Sequence, residues 1–159
     1  MSVRLRDMRP EEAERIAAMV AGLARDVGAA IVPQITGEKL NAARDLVDVV
    51  VAEDDGIPLG AILTLMTFST WRGAKGLYVV DLFVEGAARN RNIGLALLRE
   101  AARRGRTKGA RFIKLEVDHT NLGAARFYQR LGFVKKEEDR LYVLEHDRLE
   151  TFIAEKEHL

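Results

Sequence analysis

The chain contains no cysteine, which excludes disulfides, thiolate metal sites and a cysteine nucleophile together. Serine is nearly as scarce, with Ser2 and Ser69 alone, so a covalent acyl-enzyme of the serine type has little to form on. Three prolines in 159 residues leave no proline-rich linker, and no repeat or low-complexity stretch interrupts the sequence. No apolar run approaches the roughly 18 residues of a membrane span, and Met1–Pro10 is charged where a signal peptide carries an apolar core. A cytoplasmic location is expected. The formal net charge of +1 is too balanced for a general nucleic-acid or membrane-surface binder, and neither partner is expected. Histidine is rare too: His119 reads as a loop residue, while His146 and His158 lack metal-ligand spacing, so no metal is expected.

What is present reads as one globular domain over residues 1–159, with 48% hydrophobic and 31% charged residues in an alternation of strands and helices that points to an α/β layered fold. Val3, Leu5 and Met8 begin a strand, and Arg9-Pro10-Glu11-Glu12 opens a helix with the apolar stripe Ile16, Met19, Val20 and Leu23. Thr36 caps a short helix over Lys39–Arg44. Leu46–Ala52 and Leu59–Phe68 are expected to pair as a hairpin around the turn Asp54-Asp55-Gly56. A strand over Gly76–Val84 feeds a helix over Ile93–Lys108, ended near Gly109. Arg111–Val117 is the next strand and Asn121–Leu131 the next helix, closed by Gly132. Phe133-Val134 and Leu141–Leu144 are expected as a last pair of strands. Leu149, Phe152 and Ile153 mark a short terminal helix whose apolar side fits either a homodimer interface or a cover for the chain's own sheet.

The chemistry concentrates in Asp81-Leu82-Phe83-Val84-Glu85-Gly86-Ala87-Ala88-Arg89-Asn90-Arg91-Asn92-Ile93-Gly94-Leu95-Ala96. A basic turn of small residues sits directly at a helix start, where unpaired N–H groups and the helix dipole already favour an anion, and Arg89 and Arg91 add full charges. Such a turn suits a diphosphate, and Gly94 lets phosphate oxygens approach the main chain. Neither a dinucleotide-type glycine fingerprint nor a phosphate loop ending in Lys-Ser/Thr occurs, which argues against NAD and ATP. A second block, Asn121-Leu122-Gly123-Ala124-Ala125-Arg126-Phe127-Tyr128 followed by Gly132-Phe133, places Asn121 and Tyr128 about two turns apart on one helix face.

The first block resembles the Arg/Gln-x-x-Gly-x-Gly/Ala signature of the GNAT superfamily of N-acetyltransferases, read from Arg89, with Asn92 at the first glycine position and Gly94 at the second. A register starting at Arg91 also satisfies the pattern. The second block is similar to that family's Asn-x-x-Ala-x-x-x-Tyr…Gly-Phe stretch. The resemblance spans roughly Val50 to Leu144, and Trp71–Val84 further resembles the polyamine and small-amine branch, although Val80 stands where that branch has a glutamate. It implies a central mixed, mostly antiparallel sheet with helices on both faces. It also implies acetyl-coenzyme A as co-substrate, held by Leu82, Phe83, Val84, by Arg89 to Ala96 (Asn90, Arg91, Asn92, Ile93, Gly94 and Leu95 included), and by Asn121, Ala124 and Tyr128.

The acceptor implied is an amine, a small molecule or alternatively a peptide, and a non-catalytic acyl-coenzyme-A-binding module is the rival from another class. An alkylamine near pKa ~10 is protonated at neutral pH and must lose a proton before it attacks. Asp81 and Glu116 are the candidate bases, acting directly or through water, with Asp81 ranked higher for contact with the amine. Tyr128 is the candidate acid for the departing sulfur, and the resemblance implies a main-chain N–H of Leu82–Val84 as the donor to the thioester carbonyl. Trp71 and Tyr78 are candidate walls for an ammonium substrate through their ring faces.

Overall fold

The computed structural model of the chain describes residues 2–89 and 91–155, so that Asn90 and His158 lie outside the described residues. It divides at Asp118 into two compact units. The first contains a five-stranded sheet in the order β1 (Val3–Asp7), β2 (Asp48–Asp54), β3 (Ile57–Ser69), β4 (Ala74–Val84) and β5 (Ala110–Lys114). The first three pairings are antiparallel and β4–β5 is parallel, the mixed, mostly antiparallel sheet that the family resemblance implies. Its helices are α1 (Ala13–Asp26), entered through a 3-10 turn at Pro10–Glu12, α2 (Gly37–Ala42) and α3 (Ile93–Thr107).

Local chemistry accounts for the boundaries. Asp55 and Gly56 have φ of 51° and 79°, the two-residue left-handed turn whose twist matches that of the paired strands, and β2 and β3 form the expected hairpin around it. Thr36 caps α2 by accepting the Lys39 N–H at 3.1 Å. Strand alternation then divides the apolar residues between two faces. Val49, Val51, Ala61, Leu63 and Phe83 form one core with Ile16, Met19 and Val20 of α1 and Leu40 of α2. α3 crosses β2, β3 and β4 and buries Ile93, Leu97, Leu98 and Ala101.

Ion pairs brace this unit. Glu53, 2% exposed, accepts from both Arg4 and Arg6, and Arg6 also holds Glu12 at the entry to α1. Both carboxyls are thereby held below the usual range, in each case chiefly by the arginine hydrogen bonds. Arg104 of α3 reaches Asp7 and Asp48 and so ties that helix to β1 and β2.

α1 and α2 are in close contact at Gly37, whose N–H donates to Glu14 Oε2 at 2.9 Å. A Cβ there would lie 2.7 Å from the Glu14 nitrogen and 2.8 Å from its Cα. These are main-chain atoms that cannot swing aside. Gly37→Ala is therefore expected to cost about 1–3 kcal/mol as an overpacked contact. The check is a lowered urea midpoint at unchanged slope; an unchanged midpoint would mean that α2 moves freely.

The second unit contains α4 (Leu122–Arg130) and α5 (His146–Ala154). The strands expected at Phe133-Val134 and Leu141–Leu144 are not formed, for residues 133–145 are irregular and Leu141, Tyr142 and Val143 are exposed. A β-branched or aromatic run becomes a strand only where it finds a partner edge, and this unit contains no strand among its described residues. The run Lys135-Lys136-Glu137-Glu138-Asp139-Arg140 between the two segments carries charge at every position. α5 is the expected terminal helix, with Leu149, Phe152 and Ile153 exposed.

Candidate active site

β4 positions the first group of residues. Its ladder with β3 pairs Leu63 with Asp81 but Thr64 with Val79, so that Val80 is the extra residue of a β-bulge. In a regular strand Tyr78 and Asp81, an odd number apart, would point to opposite faces; the bulge restores them to one. Across the parallel ladder Tyr78 lies opposite Lys114, and Glu116 follows two residues later with the same parity. Tyr78 consequently feels Glu116 both as a charge and through a side-chain hydrogen bond, and Asp81 as a second charge. Burial first, then this negative surrounding, holds the Tyr78 hydroxyl above its ordinary range. Burial alone pushes the Asp81 carboxyl up to about 6, and no lysine or arginine pairs with it among the described residues. β5 ends at Lys114 rather than at Val117, which corrects the expectation of Glu116 as a strand residue: it lies in the segment beyond.

Trp71 does not belong to this group. It sits at the tip of the β3–β4 turn, 99% exposed, and β4 runs some 20 Å from that turn to Asp81 at about 3.3 Å per residue. The cation–π contact in this region is made by its neighbour, with the Arg72 guanidinium 4.5 Å from the centre of the Phe112 ring.

Beyond Tyr78 the ladder to β5 stops while β4 continues to Val84, leaving main-chain groups on that side without a strand partner among the described residues. Because the Glu85 N–H donates to Leu59 O at 2.8 Å, alternation turns the main-chain groups of Phe83 toward β3 and those of Leu82 and Val84 toward the open edge. The Val84 carbonyl there accepts from Arg89 Nε at 3.1 Å. Phe83 is 5% exposed, its ring part of the core.

The turn that follows is folded as its composition requires. Asn92 adopts a left-handed conformation, φ 58° and ψ 21°, the region that glycine fills most cheaply and asparagine tolerates better than most residues. Asparagine at the first glycine position of the motif thus takes a conformation open to glycine. Its carbonyl accepts the Ala96 N–H at 3.0 Å, but its side chain caps nothing. The N–H groups of Ile93, Gly94 and Leu95 are accordingly left at an uncapped helix start. The side chain of Ile93 is buried and anchors that start. At Gly94 a Cβ would meet only Val84 Cγ2, at 3.9 Å, so protein packing does not demand a glycine. Arg91 is exposed. Arg89 pairs with Asp26 at 2.6 Å, a partner sixty-three residues away that no sequence pattern signals. Between α1 and the end of β4 lies a cleft of about 430 Å³ with Met19, Leu23 and Phe83 among its apolar lining residues and Arg15, Asp26, Glu85 and Arg89 among its charged ones.

In the second unit Asn121 is the cap of α4 rather than a residue on its face. Its Oδ1 accepts the Ala124 N–H at 3.1 Å. Tyr128 packs its ring against Phe127 and Phe133, at 5.1 and 5.4 Å between centres. Its carbonyl accepts the Phe133 N–H while Gly132 bonds back to Gln129, the paired bonds that close a helix at a glycine. Burial holds the Tyr128 phenol above its ordinary range. Among the described residues no group of three or more His, Asp or Glu is placed to hold a metal ion, and no helix is long and apolar enough to cross a membrane.

The fold is similar to that of solved structures. An integron cassette protein of Vibrio cholerae superposes with a TM-score of 0.79 at 21% identity, over 98% of this chain and 99% of that one. An aminoglycoside acetyltransferase from an uncultured soil metagenomic sample gives 0.70 at 21% identity, over 92% and 100%. In sequence, 88 residues are 34% identical to an uncharacterised N-acetyltransferase of Methanocaldococcus jannaschii, covering 55% of this chain and 39% of that relative. Residues 17–133 match the model of one family, a stretch that includes the bulged strand, the Arg89 turn and the Tyr128 helix, and the chain therefore belongs to the acetyltransferase (GNAT) family of acyltransferase enzymes.

Proposed function

We propose that the protein transfers an acetyl group from acetyl-coenzyme A to a primary amine of a small molecule, directly and without a covalent acyl-enzyme. The observation that carries this reading is the bulge at Val80. It sets a carboxyl with a pKa of about 6 beside Tyr78 and Glu116 at the point where β4 loses its neighbour and exposes a main-chain edge. A base titrating just below neutral pH is ionised at pH 7 yet still basic enough to relay a proton from an ammonium group.

The chain's groups suit the coenzyme on grounds other than family. The uncapped first turn of α3 and Arg89 offer donors and charge to a diphosphate. The open edge at Leu82 and Val84 offers main-chain groups to an amide-bearing arm, as an added strand would be received. Acetyl-coenzyme A supplies the acetyl group as a thioester. Arg89, Arg91 and the N–H groups of Ile93, Gly94 and Leu95 hold the diphosphate, with Asn92 and Ala96 shaping the turn. An N–H of Leu82 or Val84 polarises the thioester carbonyl. Asp81 takes the proton from the attacking amine, and Glu116 and Tyr78 present negative charge and an aromatic face to its cation. Tyr128, kept protonated by burial, returns a proton to the sulfur; Asn121 and Ala124 hold the start of the helix that carries it.

The test is release of free thiol from acetyl-coenzyme A across polyamines, aminoglycosides, amino acids and short peptides. Amine-dependent release on a small amine is the expected result. Release only with peptides would move the acceptor class, and coenzyme binding with no release on any acceptor would make the protein a binding module instead.

A further inference from the structure

The arginine assigned above to the diphosphate is already engaged. Arg89 Nη2 donates to Asp26 Oδ2 at 2.6 Å while its Nε donates to Val84 O at 3.1 Å. Asp26 is the last residue of α1, and nothing about helix stability favours it there: a carboxylate at a helix C-terminus faces the negative end of the dipole. Its nearest gain is Arg89. At the other end of the same helix, Arg15 lies 3.6 Å from Glu85 and donates to Pro58 O at 3.4 Å. α1 is thus tied across the 430 Å³ cleft to both sides of the β4–α3 turn, by pairs of opposite polarity. Both partners of the Arg89–Asp26 pair are about half exposed, 48% and 53%, so the pair is weak and a doubly charged competitor can open it.

We propose that Asp26 is a built-in competitor for the diphosphate position: it holds Arg89 across the cleft in the free protein and yields it when coenzyme A binds, releasing the C-terminal end of α1. The inference rests on the reading of the Arg89 turn as the coenzyme site. Arg89 can satisfy one anion along its outer edge at a time, because its Nε stays with Val84. Coenzyme affinity is therefore set by the difference between the two anions rather than by the coenzyme's contacts alone.

The experiment is calorimetric titration of coenzyme A into the full chain, into Asp26→Asn and Asp26→Ala, and into each in an Arg89→Gln background. The expected result is a Kd about fivefold lower in either Asp26 variant, the effect of removing a half-exposed ion pair, and no change on replacing Asp26 once Arg89 is gone. Equal or weaker binding in both folded Asp26 variants overturns the proposal. So does tightening that persists in the Arg89→Gln background, which would mark a general effect of charge. If neither the parent chain nor the variants bind coenzyme A, the reading of the site itself fails and the competitor role with it; binding that is unchanged by Asp26 overturns the competitor alone.

Discussion

Asp81→Asn is expected to give a protein that is more stable and far less active at pH 7.5. The stability follows from burial. A carboxyl that titrates near 6 in the folded chain and ordinarily at 3.8 is protonated in both folded and unfolded chains below about pH 4 and carries no penalty there. Between these values the folded state alone keeps its proton, so stability falls as pH rises, and above about pH 6 the full cost of a buried charge is present. That displacement, discounted for partial exposure, corresponds to about 2 kcal/mol. Asparagine, close in shape to the neutral acid, recovers this at pH 7.5 as a melting temperature several degrees higher and recovers nothing at pH 4. The activity follows from the proton. Loss of a general base costs about 10²- to 10⁴-fold in kcat/KM, and the acid limb of the wild-type profile, breaking near pH 6, is expected to vanish with it. Tyr78 feels both Asp81 and Glu116, so the two carboxyls share one neighbourhood and the comparison between them is decisive. If the limb survives in Asp81→Asn and disappears in Glu116→Gln, the base is Glu116.

The same residues show what the sequence made legible. The β2–β3 turn and the span of α3 were readable because they rest on local rules: two residues able to take positive φ, and an apolar stripe at helical spacing. The left-handed conformation at Asn92 follows an equally local rule, since asparagine stands there at a glycine position of the motif. The bulge at Val80 does not. Neither glycine nor proline marks it, and its effect, moving Asp81 onto the face of Tyr78, exists only relative to the register with β3. The Asp26–Arg89 pair joins residues brought together by packing of a helix on a sheet, and each alone reads as an ordinary surface charge. The expected strands after Gly132 failed in the opposite way. Their composition suited a sheet, but strand propensity describes fitness for a partner, and their own unit provides none among its described residues. Trp71, chosen for its ring face, ended at a turn because position along β4, not residue type, decides what reaches Asp81.

Tyr128→Phe separates structure from chemistry in the second unit. The substitution removes one hydroxyl and keeps the ring that packs on Phe127 and Phe133, as well as the carbonyl that closes α4. The stability cost is then at most about 1 kcal/mol, that of a single hydrogen-bonding group. The catalytic cost is expected to be larger, about 10²-fold in kcat, because a sulfur leaving without a proton source must depart as thiolate. Since burial raises the phenol above its ordinary range, the acid form persists through neutral and mildly basic pH, and the wild-type rate should show no decline on the basic side below about pH 10. Coenzyme affinity in Tyr128→Phe should stay within a factor of about three, as a hydroxyl acting only in the transition state contributes little to the ground state. A rate equal to wild type would assign the proton to water and leave Tyr128 as a packing residue. A fall in coenzyme affinity with kcat unchanged would instead make it a binding group, and the split between kcat and Kd decides between those roles.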